Sequence, residues 1–126
     1  LFRSCEMIDN GVETVLGVVK DPVFGPTVMF GLGGIFIEIL KDVTFRVAPF
    51  DAKEAHMMIN EIRGRAILDG VRGAPPVDVD ALAEALSQLS LFAATNIDNV
   101  DSIDLNPFIV LPRGAKIVDA LIIASD

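Results

Sequence analysis

An α+β domain, with an antiparallel sheet and its helices collected on one face, is what three observations in this chain predict. Residues 12–48 are dominated by short apolar and β-branched runs separated by Pro and Gly. Between Asp51 and Phe92 the apolar residues recur at helical spacing instead. After Val100 the strand pattern returns. The resulting order, β-β-β-β-α-α-β-β, segregates strands from helices. That segregation favours helices on one side of a sheet and leaves the other side free for a polar cluster.

The elements follow in order. Residues 12–19 are β-branched and end at the Pro/Gly-punctuated turn 20–26, and residues 27–30 form a second short strand. After Gly31-Leu-Gly-Gly34 come strand-like runs at 35–40 and 43–48, which completes an antiparallel meander. Asp51-Ala-Lys-Glu54 has capping-box spacing, with Asp51 accepting from first-turn amides and Glu54 reaching back. The helix behind it carries Ala55, Met58, Ile59 and Ile62 and is expected to fray near Gly64. A short helical piece at 65–68 precedes the loop 69–76. Asp78 or Asp80 then opens a second helix with Leu82, Leu86 and Leu89 a turn apart, beside Ala85 and Phe92. A strand at 100–105, continued at 108–111, and another at 116–120 close the chain.

Composition narrows the function. The chain has 126 residues, 52% of them hydrophobic, which is enough for one domain with a sizeable core. Its formal charge is −8 with Lys and Arg scattered, so it lacks the clustered basic face of a nucleic-acid binder. Its apolar runs are broken well before the length of a membrane span, so no membrane partner is expected. The chain begins without Met and with no signal-peptide pattern, and is expected to be a piece of a longer protein. Cys5 is the single cysteine and cannot form an internal disulfide, which suits a cytoplasmic location. It reads as a buried structural thiol. His56, the single histidine, lies mid-helix without a second nitrogen or sulfur ligand, which excludes zinc.

The polar residues that interrupt apolar strands carry the chemistry. Asp104 and Asn106, in Ser102-Ile-Asp-Leu-Asn-Pro-Phe-Ile-Val110, are two apart and share a strand face. Asp119 joins them if the two closing strands pair across the turn 111–114. Two carboxylates and an amide oxygen on one surface suit Mg²⁺ with phosphate oxygens completing its shell. Gly33 and Gly34 lie between strands, so they are neither a Walker loop nor a dinucleotide fingerprint. They read as a hairpin turn or as a close approach of backbone to a ligand. Arg72, on the loop, suits phosphate or carboxylate, or an ion pair with Asp69 or Asp78. Asp21 and Glu13 read as solvated turn and strand residues, Asn99 and Asp101 as turn residues, and Glu38 as facing away from the core.

The runs 11–26 and 28–42, with 43–49, Gly70-Val-Arg-Gly-Ala-Pro-Pro76 and Ile103-Asp-Leu-Asn-Pro-Phe108, resemble the ATP-grasp module of ADP-forming acyl-CoA synthetases. That is the family of acetate–CoA ligase (ADP-forming), with succinyl-CoA synthetase a more distant relative. The resemblance runs nearly end to end. It implies that Asn106 and Asp119 hold Mg²⁺ against the phosphates of ATP or ADP. It places Asp104 near the metal or the transferred phosphoryl group, in a catalytic role. Gly33, Gly34 and Arg72 match nucleotide-side positions. The upstream lysines and adenine-binding segment are lacking, so residues 1–126 correspond to the C-terminal subdomain of the module. The family's phosphohistidine belongs to other domains, so His56 does not inherit that role. The implied parent couples acyl-CoA thioester formation or cleavage to phosphoryl transfer, with CoA-binding and CoA-ligase domains as fused or separate partners. The fragment alone is expected to be inactive. The alternative is a non-catalytic regulatory module of a protein-lysine acetyltransferase. Self-association of the excised half into a homo-oligomer, through exposed apolar surface, is a third reading.

Overall fold

A computed structural model describes residues 11–33, 42–70, 73 and 75–125. The readings made for Cys5, Gly34, the run 35–40 with Glu38, and Arg72 fall outside the described residues. Among the described residues six strands form one antiparallel sheet: β1 (Val12–Asp21), β2 (Gly25–Leu32), β3 (Val43–Val47), β4 (Val100–Val110), β5 (Ala115–Ile117) and β6 (Ala120–Ala124). The order is β3-β2-β1-β4, with β5 and then β6 lining the far edge of β4. Helices α1 (Ala52–Asn60) and α2 (Val79–Thr95) and a 3₁₀ segment (Arg63–Asp69) lie between β3 and β4 in sequence.

Alternation decides what each strand buries. Leu16 and Val18 of β1, Val28 and Phe30 of β2, and Ile103 and Leu105 of β4 pack against Met58 and Ile59 of α1 and Leu82 and Leu86 of α2. The helices start as their caps dictate. The Asp51 carboxylate accepts the Glu54 amide at 2.9 Å, and Asp78, not Asp80, caps α2 by accepting the Ala81 amide at 3.0 Å. The capping box is only half made. Glu54 does not reach back but pairs at 2.6 Å with Arg46 of β3, which also holds Glu61, because a cation one strand away outcompetes an amide. Helix α1 ends at Asn60, one turn before the expected fraying point at Gly64. Arg63 and Gly64 instead start the 3₁₀ segment by donating their amides to Asp42 at 2.6 and 2.8 Å.

Two further expectations are corrected. Asp101 is a β4 residue rather than a turn residue, tied to Lys20 of β1 at 3.3 Å and to the Ser125 hydroxyl at 2.7 Å. The expected strand at 116–120 is two strands, β5 and β6, interrupted at Val118 and Asp119. The cause is a β-bulge. Leu16 pairs with Leu105 but Thr14 pairs with Phe108, so β4 has one residue more than β1 over this span. The extra residue lies at Asn106–Pro107, whose peptide bond is cis. The Thr14 hydroxyl, fully buried, closes the irregularity by donating to the Phe108 carbonyl at 2.7 Å.

Candidate metal and nucleotide site

The bulge sits where the chemistry-bearing residues converge. On β4, Asp104 pairs with Leu121 and Leu105 with Ala120. One step further, the Asn106 amide donates to the Asp119 carbonyl at 3.2 Å and the Val118 amide to the Pro107 carbonyl at 3.1 Å. Asn106 and Asp119 are therefore cross-strand neighbours on the face opposite the helices, with Asp104 two residues along the same strand. All three are solvent-exposed. The pairing across the turn 111–114 that sequence reasoning required is thus present: the Leu111 amide donates to Gly114 at 2.9 Å, and Val110 pairs with Ala115.

Among the described residues no three His, Cys, Asp or Glu side chains gather at metal-binding range. The constellation is two carboxylates and one amide. That donor set does not suit zinc and is too sparse for an all-protein Ca²⁺ cage. It fits Mg²⁺, which is usually held through one or two carboxylates while phosphate and water oxygens complete the octahedron. Water already reaches all three side chains, so a hydrated cation can be bound here without burying it.

Beside this polar end the open face becomes apolar. Gly17 of β1 is the cross-strand partner of both Asp104 and Met29. A Cβ at Gly17 would stand 3.3 Å from the Ile103 carbonyl. The missing side chain opens a groove of about 240 Å³ lined by Gly17, Val19, Met29, Phe45, Ser102 and Asp104. A second hollow of about 320 Å³ shares Val19 and Phe45 and adds Asp21, Phe24, Thr27, Arg46 and Val47. The two adjoin as one trough with Asp104 at its β4 end, apolar side chains along its floor and Asp21 beside the β1–β2 turn. Asp21, at its far end, accepts the Val23 and Phe24 amides at 2.8 and 2.9 Å. Those bonds, Phe24 first, hold its carboxyl below the usual aspartate range, so it stays ionised as a turn residue, as its sequence position indicated.

The remaining candidates are placed as follows. Gly33 donates its amide to the Glu13 carbonyl at 2.7 Å. A Cβ there would come within 3.1 Å of Glu13 backbone, so a packing reason for glycine exists apart from any ligand. His56 meets Asp80 at 3.1 Å on the helix surface, away from the open face. Asp69 is paired with Arg65 at 3.0 Å, and Asp78 with amides. Sequence reasoning missed Gly17, Val19, Met29 and Phe45 as the trough floor. Their alternation with Leu16, Val18, Val28 and Phe30 was the available signal.

Comparison with known proteins settles the family. Residues 5–124 match the ATP-grasp domain model. The chain belongs to the ATP-grasp family. It is 47% identical over 119 residues to the beta subunit of acetate–CoA ligase [ADP-forming] II of Pyrococcus furiosus, covering 93% of this chain and 50% of that subunit. It is 43% identical over 114 residues to acetate–CoA ligase [ADP-forming] I of Archaeoglobus fulgidus, covering 90% of this chain and 16% of that protein. A solved structure of the Ca. Korarchaeum cryptofilum dinucleotide forming acetyl-coenzyme A synthetase 1 superimposes with a TM-score of 0.87 at 47% identity. It covers 91% of this chain and 54% of that one. That protein is in complex with coenzyme A and Mg-AMPPCP, with its phosphohistidine segment pointing towards the nucleotide binding site. The chain thus spans about half or less of the length of these relatives. The α+β ATP-grasp fold expected from sequence is the observed one, and these relatives lend no support to the acetyltransferase alternative. Among the described residues no helix is long and apolar enough to cross a membrane.

Proposed function

We propose that this ATP-grasp chain is the C-terminal, Mg²⁺- and ATP/ADP-binding half of the nucleotide module of a cytoplasmic ADP-forming acyl-CoA synthetase. The observation that carries the reading is the registration of Asp104, Asn106 and Asp119 on one open face, with Asp104 also lining a groove floored by apolar side chains. A nucleotide has the matching polarity, with charged phosphates at one end and a flat apolar base at the other. Asn106 and Asp119 would hold Mg²⁺, and Asp104 would orient its water or the transferred phosphoryl group. The bound cation would neutralise phosphate charge, and phosphoryl transfer needs little more than such positioning and neutralisation. Gly33, Gly34 and Arg72 are assigned to the nucleotide by family resemblance. CoA-binding and CoA-ligase domains, fused or on a separate subunit, would supply the phosphohistidine and the acyl and thiol pockets. The 126-residue chain alone is expected not to turn over ATP.

The test is ADP formation from Mg-ATP by the full-length protein, with and without CoA and a panel of short carboxylic acids, beside Asn106→Ala. ADP release that requires acid and CoA and is lost in the variant supports the synthetase. Nucleotide binding without turnover for any acid would overturn it.

A further inference from the structure

Asp119 reaches its place at the end of a weakly held segment. Strand β5 is three residues long, and Lys116, Ile117 and Val118 are exposed, so little packing secures its register. A slip of one residue would turn Asp119 to the opposite face, away from Asn106. Beyond Asp119, β6 pairs with β4 from Ala120 onward, and the Asn106 amide holds the Asp119 carbonyl; on the β5 side a further hold comes from outside the sheet. Asp78 donates its own amide to the Leu111 carbonyl at 2.7 Å. One carboxylate oxygen caps α2 at Ala81, and the other accepts the Gly114 amide at 2.7 Å. Gly114 takes φ +80°, a left-handed conformation that glycine adopts without strain, and its carbonyl closes the hairpin on Leu111. The α2 N-terminus therefore grips both ends of the turn from which β5 returns.

We propose that Asp78 is a positioning residue for the metal site, clamping the 111–114 hairpin so that Asp119 stands opposite Asn106. The inference rests on the Mg²⁺ reading given above. Asp78 touches neither metal nor substrate; it acts through the hairpin register. The two amides its carboxylate accepts from also hold that carboxyl below the usual aspartate range, Gly114 more than Ala81, so the clamp is ionised at neutral pH.

The experiment measures Mn²⁺ binding to the full-length protein with ADP present, from the free-ion electron paramagnetic resonance signal, together with the melting temperature. Asp78→Ala is expected to weaken Mn²⁺ about tenfold, the scale on which supporting contacts behind metal ligands act. Gly114→Ala should do the same by straining the turn, and the double variant should be no worse than either single one, because both break one clamp. Asp51→Ala, which removes only the α1 cap, should lower the melting temperature and leave Mn²⁺ affinity unchanged. Asp78→Asn, with one acceptor oxygen for two amides, should fall between wild type and Asp78→Ala, and serves if Asp78→Ala does not fold. A destabilised Asp78 or Gly114 variant with wild-type Mn²⁺ affinity would reduce Asp78 to a helix cap and overturn the proposal. Unchanged Mn²⁺ affinity in Asn106→Ala would remove the metal reading itself, a separately visible failure.

Discussion

The two faces of this sheet use the same alternating strands for opposite purposes. Under the helices, Leu16, Val28, Phe30, Leu82 and Leu86 are fully buried, and the few polar groups there are satisfied, as Thr14 is by Phe108. On the other face Val19 and Phe45 remain about half exposed, at 51% and 50%, and the polar residues Asp104, Asn106 and Asp119 stand in water. Stability resides in the first face, whereas the second has little packing to lose and keeps its side chains available to a ligand. The bulge at Asn106–Pro107 joins the two, since the same irregularity that orients Asn106 is locked from the core side by Thr14. One face of a sheet can therefore vary in chemistry while the other maintains the fold.

Substitutions that separate stability from binding sharpen this comparison. Leu86→Ala, at a fully buried position, should cost about 2–5 kcal/mol in chemical denaturation. Asn106→Ala should lower Mg-ATP turnover of the full-length protein about a hundredfold, near 2.7 kcal/mol in barrier, with its melting temperature hardly changed. A large loss of stability in that variant would show that the open face also carries fold energy. Thr14→Val keeps the shape but leaves the Phe108 carbonyl without its hydroxyl donor, and should cost about 1–3 kcal/mol in urea unfolding.

Acid gives a smaller, graded effect. The Asp78 carboxyl is held low by the Gly114 and Ala81 amides, and that of Asp101 by the Ser125 hydroxyl and then Lys20. Groups with lowered folded values stabilise the fold fully above the unfolded aspartate value of about 3.9, and lose that contribution as pH falls through their folded values. Stability of Asp78→Asn should therefore vary less than wild type below about pH 4. Smallest of all, Phe45→Ser at a half-exposed position should shift stability by no more than about 0.5 kcal/mol while weakening nucleotide binding. Unchanged nucleotide affinity would mean the trough is not its seat.

Much of this was legible in the chain because the signals are local. Strand alternation needs only neighbours two apart, and it put Asp104 and Asn106 on one face. A cap needs only the next three residues: Asp51 opens its helix as read, and Asp78 is one of the two caps read for the second. The family resemblance was carried by contiguous motifs, among them Ile103-Asp-Leu-Asn-Pro-Phe108. What only the tertiary structure decided depends on registers between distant segments. Gly17 lies opposite Asp104 because β1 occupies the middle of the sheet, next to a strand more than eighty residues later. The interruption between β5 and β6 answers a bulge that exists only relative to β1, and Glu54 turns to Arg46 because β3 brings a cation within reach. Asp78 read as one of two candidate caps or as a partner for Arg72, and only the fold carried Gly114 to its second oxygen. Local sequence sets which way a side chain points, and the non-local pairing of strands sets what it faces.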